Sequence, residues 1–165
     1  MASVSNGQTG CCAKLAGRWT ARRTLTAMSP WRVSPSLDAR AMVDYSLARR
    51  ATLTALASGR RSPTEVCDAQ TYLVRAARYH GERAHETCPV CERESLARVS
   101  YAFGDCFCGD VNGRARTPRE LLALSREVPE FTVYVVEVCS DCRWNHLVVS
   151  YVLGTGEPAA RRARS

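Results

Sequence analysis

The spacing of apolar residues predicts helices in the first part of the patterned sequence. Val43, Leu47 and Ala51 recur every four residues, which is typical of an amphipathic helix. Gly59 follows at a position where a glycine commonly ends a helix. We therefore expect a first helix over residues 37–58.

A capping box begins a second helical segment. In Ser62-Pro63-Thr64-Glu65 the serine is the cap, the proline occupies the first helical position and the glutamate reaches back to the cap. We expect this segment to break near Asp68–Thr71 and to end at His80-Gly81. Cys67 has no second cysteine at metal-binding spacing, so we interpret it as a core side chain. The apolar face of the segment consists of Val66, Ala69, Leu73, Ala76 and Ala77.

Three later segments are rich in β-branched and aromatic residues, a composition that predicts strands. They are Leu96–Phe103, Phe131–Val138 and His146–Leu153. A second capping box, Thr117-Pro118-Arg119-Glu120, lies between the first two strands and predicts a short insert helix near residues 117–127.

Two Cys-x-x-Cys pairs flank these strands, Cys88-Pro-Val-Cys91 and Cys139-Ser-Asp-Cys142. Two intervening residues let both sulfurs of a tight turn, or knuckle, face one ion, and two knuckles complete the four-thiolate tetrahedron that Zn²⁺ prefers. The alternative is that these cysteines are buried apolar side chains or disulfides. Identical spacing in both pairs favours one structural zinc ion, because a disulfide within Cys-x-x-Cys is typical of redox-active sites. Spacing alone does not separate zinc from iron.

The predicted fold class is α+β, a zinc-ribbon three-stranded antiparallel sheet with two N-terminal helices and a short insert helix. Such a sheet is marginal alone, and metal ligation contributes on the order of 10 kcal/mol to the folding of zinc fingers. The predicted organisation is a disordered basic tail (1–36), a helical segment packed on the ribbon (37–82), the zinc-ribbon domain (83–153) and a disordered Arg-rich tail (154–165). Met42 stands where the patterned sequence begins and is an alternative start position.

The positive charge of the chain is concentrated at its two ends. The formal net charge is +7, yet residues 42–158 hold 14 basic and 15 acidic side chains. Residues 1–41 hold six basic side chains and one acid, and residues 161–165 hold three arginines. Nucleic-acid binding is therefore expected, if at all, through the tails. Lys14 apart, every basic residue is arginine, which is typical of a GC-rich genome and weakens the arginines as a sign of phosphate binding.

The cysteine content suits a reducing compartment. Nine cysteines in a secreted chain of this length would suggest a disulfide scaffold. The first 30 residues, however, contain no apolar run typical of a secretory signal, because Lys14, Arg18 and two further arginines interrupt them. No segment approaches the ~20 apolar residues of a membrane helix. We expect a cytoplasmic protein that does not bind membranes.

A second metal site is a weaker candidate. Cys106 and Cys108 form a Cys-x-Cys pair whose sulfurs share one face of an extended segment, and His80 and His85 would complete the ligands. The interpretation as loop thiols and solvent-facing imidazoles is favoured. A further alternative is that His85 replaces a thiolate such as Cys88.

Trp144, Asn145 and His146 directly follow the second Cys-x-x-Cys pair. One interpretation is that the tryptophan covers the sulfurs and excludes water. The other is an exposed partner-binding centre, because knuckle tips project outward and tryptophan is favoured at binding hot spots.

Enzyme motifs are missing from the sequence. It contains no phosphate-binding Gly-rich loop, no His-Glu-x-x-His and no Gly-x-Ser-x-Gly. Four thiolates also leave a zinc ion no open position for a substrate. We therefore predict no catalytic residues and no enzymatic activity.

The chain from Met42 to Gly154 resembles an actinobacterial family, the domain of unknown function 5318 family. The resemblance implies a small cytoplasmic protein with a zinc-ribbon appearance, and it implies no activity. It rests on Val43-Asp44-Tyr45, Glu65–Ala69, Leu73–Ala77, His80-Gly81, Cys88–Cys91, Phe103-Gly104-Asp105, Arg116-Thr117, Val135–Cys139, Trp144–Leu147 and Ser150–Gly154.

Three functions fit these observations. The first is a zinc-ribbon binding or adaptor protein that docks on a protein or nucleoprotein assembly, such as the transcription or translation machinery, by analogy with other zinc ribbons. The second is a zinc-thiolate redox switch. The third is nucleic-acid binding through the Arg-rich tails.

Overall fold

The computed structural model describes residues 38–107 and 111–156, which form a mixed α+β fold with one antiparallel sheet. The predicted tail at 1–36, residues 157–165 of the predicted tail at 154–165, and Cys108 lie outside the described residues. Each helix in the described residues falls short of the length and apolarity that a bilayer-spanning helix needs. In chain order the elements are β1 (Arg40–Asp44), α1 (Ser46–Ala57), α2 (Pro63–Val66), α3 (Thr71–His80), β2 (Glu82–Arg83), β3 (Leu96–Phe103), β4 (Arg114–Arg116), α4 (Pro118–Glu127), β5 (Phe131–Cys139) and β6 (Asn145–Leu153).

The long strands β3, β5 and β6 form the centre of the sheet, whose order is β1-β6-β5-β3-β2, with β4 also paired to β3. β5 pairs along its whole length with β3, from Leu96↔Cys139 to Phe103↔Thr132. Its other edge pairs with β6. Because β3 follows the first Cys-x-x-Cys pair and β5 runs into the second, the Leu96↔Cys139 pairing brings the two pairs to the same end of the sheet.

Helices cover both faces of the sheet. α3 packs with Val99, Tyr101 and Val138, whereas α4 packs with Ala102 and Val133. Neighbouring strand residues point to opposite faces, so Tyr101 and Ala102 place these helices on opposite sides. The core of the protein is therefore divided between two apolar layers, one on each side of β3 and β5.

Several sequence predictions are confirmed. β3, β5, β6 and α4 occupy the predicted segments, and the second helical segment breaks as expected, with α2 ending at Val66 and α3 beginning at Thr71. Both capping boxes form, and in the second the Glu120 carboxylate accepts a hydrogen bond from the Thr117 N–H at 2.7 Å. A capping box can be predicted from the sequence because its two partners lie within one helical turn and need no distant contact to form.

The predicted start of the first helix is wrong. Residues 40–44 form β1, which pairs antiparallel with β6, and the helix begins only at Ser46. Val43 contributed to the helical spacing, but its backbone pairs with Ser150 at the open edge of β6. Backbone pairing at that edge stabilises a strand more than the weakly amphipathic pattern stabilises a helix.

The sheet has six strands in the described residues, where the sequence predicted three. The additional strands β1, β2 and β4 span five, two and three residues and lie at the edges of the sheet. They are short and largely exposed, and none alternates apolar with polar residues in the way that predicts a strand.

Candidate metal centre

The sulfur atoms of Cys88, Cys91, Cys139 and Cys142 all lie within 4.8 Å of one another. The Sγ atoms of Cys88 and Cys142 are 3.5 Å apart, and those of Cys91 and Cys139 are 3.7 Å apart. A tetrahedral ion with metal–sulfur bonds of about 2.3 Å separates its sulfurs by about 3.8 Å, whereas a disulfide joins them at about 2.05 Å. The spacing therefore matches a shared ion, and this four-cysteine cluster can hold a metal.

The two knuckles, Cys88–Cys91 and Cys139–Cys142, have the same backbone design. The residue after each second cysteine, Glu92 or Arg143, has a positive φ of 61° or 70°. Its N–H donates a hydrogen bond to the carbonyl of the first cysteine, at 2.9 Å in the first knuckle and 3.1 Å in the second. The left-handed residue turns the chain sharply, so both sulfurs of each pair face the same point.

Hydrogen bonds to sulfur favour the ionised form of one of the four thiols, that of Cys139. Burial opposes ionisation of Cys139, but the Ser95 hydroxyl, 3.2 Å from its sulfur, and the backbone N–H of Cys142 lower its pKa to about 7. Burial instead raises the pKa of Cys88 to about 11 and raises the pKa of Cys142. Four adjacent thiolates therefore need a cation to compensate their charge.

Trp144 covers the sulfur cluster. Its side chain is fully buried, as are Cys88 and Cys139, and all three pack with Val66 and Leu96. The alternative interpretation of Trp144 as an exposed partner-binding residue is wrong, because no surface of the side chain is accessible. Its role in the described fold is to shield the sulfurs from water.

The buried carboxylate of Glu137 contacts the tryptophan, and it is not among the site residues predicted from the sequence. Glu137 is 2% exposed, and its Oε1 accepts hydrogen bonds from Trp144 Nε1 at 2.9 Å and from Arg49 Nε at 2.6 Å. These bonds link α1, β5 and Trp144, which lies two residues after the second knuckle. The available signal was an acidic residue within an otherwise apolar or aromatic strand, Phe131–Cys139.

The other predicted partner-binding residues are placed differently from Trp144. Asn145 donates a hydrogen bond from Nδ2 to Asp68 Oδ1 at 2.9 Å. His146 stacks on Trp144 with ring centroids 5.8 Å apart. Both side chains are partly accessible, and partner binding by them stays a prediction.

The second metal site receives no support from the described residues. His80 and His85 are exposed, and the Cys106 thiol contacts the Glu130 carbonyl at 3.6 Å. Within residues 38–107 and 111–156, the four cysteines of the knuckles are the one group of metal-type ligands that the fold brings together. The structure agrees with the interpretation of Cys106 as a loop thiol and of His80 and His85 as solvent-facing imidazoles.

An open groove of about 610 Å³ lies on the α3 side of the sheet. Three aromatic side chains in its lining are well exposed, Tyr72 at 62%, Phe103 at 43% and Tyr134 at 36%. Asn145 and Leu147 lie at the end of the groove nearest the second knuckle. The groove is therefore an exposed, largely aromatic surface beside the metal centre.

Relatives of this chain occur in mycobacteria. An uncharacterised protein of Mycobacterium bovis and two of Mycobacterium tuberculosis are each 51% identical to it over 117 residues, covering 71% of this chain and 85% of the relative. No solved structure matches the chain. The model of a family of unknown function, the domain of unknown function 5318 family, matches residues 37–165, a longer stretch than Met42–Gly154. The resemblance seen in the sequence is thus confirmed, and the chain belongs to this actinobacterial family.

Proposed function

We propose that this protein is a non-enzymatic binding module whose fold is held by one structural Zn²⁺ bound to Cys88, Cys91, Cys139 and Cys142. The observation that carries the proposal is the convergence of four sulfurs, all within 4.8 Å of one another, at the meeting point of β3 and β5. A zinc ion with four thiolates has no open position, so its role is structural and the site is of the zinc-ribbon type.

Metal analysis of the purified full chain tests this proposal. We expect one zinc ion per chain, and we expect Co²⁺ to replace it with the visible absorption of a tetrahedral thiolate complex. The Cys91→Ser variant should lose the metal, because a knuckle with one sulfur cannot complete the tetrahedron. The matched control, Cys106→Ser, should keep a full equivalent.

Two results would contradict the structural zinc site. One is a stoichiometric metal content in Cys91→Ser equal to that of the wild type. The other is a well-folded wild-type protein, purified without chelators, that contains no metal. Stoichiometric iron in anaerobically purified protein would retain the site and change the ion.

We propose that the groove beside the metal centre binds an extended peptide segment of a protein partner. Exposed aromatic side chains provide the apolar contact that binding centres favour. The Tyr101 hydroxyl in the groove is buried and has no hydrogen-bond partner among the described residues, so a peptide carbonyl would satisfy it. Of the described residues that line the groove, Asp68 is charged and none is basic, which favours a neutral or basic peptide over a phosphate backbone.

Affinity capture with matched tyrosine variants tests this surface. A protein captured from an actinobacterial lysate should survive nuclease treatment and should be lost with Tyr134→Ala, which removes an aromatic wall of the groove. Tyr79→Ala is the control, because Tyr79 is 78% exposed and does not line the groove. Capture that nuclease abolishes, or that both variants weaken equally, would overturn the assignment.

A further inference from the structure

A fifth sulfur lies against the four-cysteine cluster. Cys67 is half-buried and packs with Cys88, Cys139 and Trp144. Cys142 packs against the same cluster. The sequence predicts a core position for Cys67, because its distance along the chain from either knuckle conceals its place beside the sulfurs.

The fold holds Cys67 in that position. The connection between α2 and α3 is hydrogen-bonded to the residues that follow the second knuckle, so the segments that carry Cys67 and Cys142 lie against each other. Three hydrogen bonds make the attachment: Ala69 N–H to the Arg143 carbonyl at 3.0 Å, Asn145 Nδ2 to Asp68 Oδ1 at 2.9 Å, and Arg143 to Thr71 Oγ1 at 3.2 Å.

Exposure separates the sulfurs into two groups. Cys88 and Cys139 are fully buried, whereas Cys67, Cys91 and Cys142 retain accessible surface. A small oxidant in solvent therefore reaches Cys91 and Cys142 before the buried ligands, and of these two Cys142 belongs to the knuckle whose following residue is hydrogen-bonded to the α2–α3 connection. Cys67 is also free to react, because it does not belong to the tetrahedral group of sulfurs.

We propose that Cys67 and Cys142 are an oxidation site that takes a hydroperoxide and becomes a disulfide. The consequence of this oxidation is release of the ion, and that part of the inference rests on the proposed zinc centre. With hydrogen peroxide, the Cys142 thiolate attacks one peroxide oxygen, the O–O bond breaks, and a sulfenic acid and hydroxide form. Cys67 then attacks the Cys142 sulfur; the S–S bond forms, the S–O bond breaks, and the hydroxyl leaves as water with the Cys67 proton.

The disulfide removes one of the four ligands from the ion. The two sulfurs are oxidised by two electrons in total, and the peroxide is reduced to water and hydroxide. Three thiolates remain, so the metal affinity falls and the ion leaves. A dithiol reductant restores both thiols and the site. Without Cys67, the sulfenic acid is exposed to a second equivalent of peroxide, and the sulfinic acid that results is not reduced by dithiols.

The test treats the zinc-loaded full chain with two equivalents of hydrogen peroxide, blocks free thiols and maps the disulfides by mass spectrometry. Trypsin yields one peptide with Cys67 and another with both Cys139 and Cys142, so fragmentation must locate the linked sulfur. We expect the Cys67–Cys142 linkage, with zinc release measured by a chromogenic chelator. After dithiothreitol treatment, the wild type should bind zinc again.

The Cys67→Ser and Cys67→Ala variants should bind zinc and fold before oxidation, since Cys67 is outside the ligand set. After peroxide they should lose zinc, fail to regain it with dithiothreitol, and carry sulfinic acid at Cys142. Cys106→Ser should behave as the wild type. A Cys88–Cys142 or Cys139–Cys142 linkage, or full zinc recovery by both Cys67 variants, would overturn the inference. Formation of the Cys67–Cys142 linkage in a chain that binds no metal would instead contradict the zinc centre alone.

Discussion

Removal of the metal should unfold the protein, and Cys139→Ser should have the same effect. Cys139 is fully buried, ends β5 and pairs with Leu96 at the start of β3. Metal binding contributes about 10 kcal/mol or more in zinc-finger peptides, which is comparable with the whole stability of a small domain, about 5–15 kcal/mol. We therefore expect loss of the cooperative thermal transition and of the near-ultraviolet circular dichroism after exhaustive chelation.

Reversibility and a matched cysteine variant provide the controls. Addition of Zn²⁺ to the chelated wild type should restore the transition, whereas addition to Cys139→Ser should not. Cys106→Ser should unfold at the temperature of the wild type when loaded with zinc. A chelated wild type that keeps its transition would show that the apolar layers hold the sheet without an ion.

The second large effect is expected from Glu137→Ala. The substitution leaves the buried Trp144 N–H without an acceptor and Arg49 without its partner, at the point where α1 joins the sheet. Removing one member of a buried charged network costs about 3–5 kcal/mol. Chemical denaturation of the zinc-loaded protein should show a loss of about 3 kcal/mol in the free energy of unfolding.

Two further substitutions separate charge from hydrogen bonding. Glu137→Gln keeps an oxygen that can accept from Trp144 but loses the charge facing Arg49, so its loss should be smaller than that of alanine. Glu127→Ala removes an exposed glutamate and should change the free energy of unfolding by less than about 0.5 kcal/mol. Equal stabilities for Glu137→Ala and Glu127→Ala would show that the buried network contributes nothing.

The candidate metal site could be predicted from the sequence because its signal is local. Two residues between the cysteines of each pair define each knuckle, and the composition of β3 and β5 predicts the strands that carry them. The same holds for α4, whose cap at Thr117 is followed by its partner Glu120 three residues later. In each case the signal lies within one turn or one strand, even though the two knuckles themselves are about 50 residues apart in the chain.

What the sequence could not predict depends on contacts between distant residues. Trp144 lies two residues after a knuckle, and only the positions of Glu137, Val66 and Leu96 decide that it is buried. Cys67 has no cysteine near it in sequence, yet the α2–α3 connection places it against the four-cysteine cluster. The strand at Arg40–Asp44 exists because β6 offers an open edge, which no property of those five residues reveals.

The sulfur pairs in contact across the metal centre are 54 and 48 residues apart in the chain. During synthesis on the ribosome, the first knuckle emerges long before its counterpart. The four sulfurs cannot come together until Cys142 has left the exit tunnel, and because the tunnel itself holds a long stretch of chain, β5 and β6 have both been translated by then. Capture of the proposed ion would therefore report that nearly the whole domain has been made, and the nascent helices would gain their final packing surface only after this event.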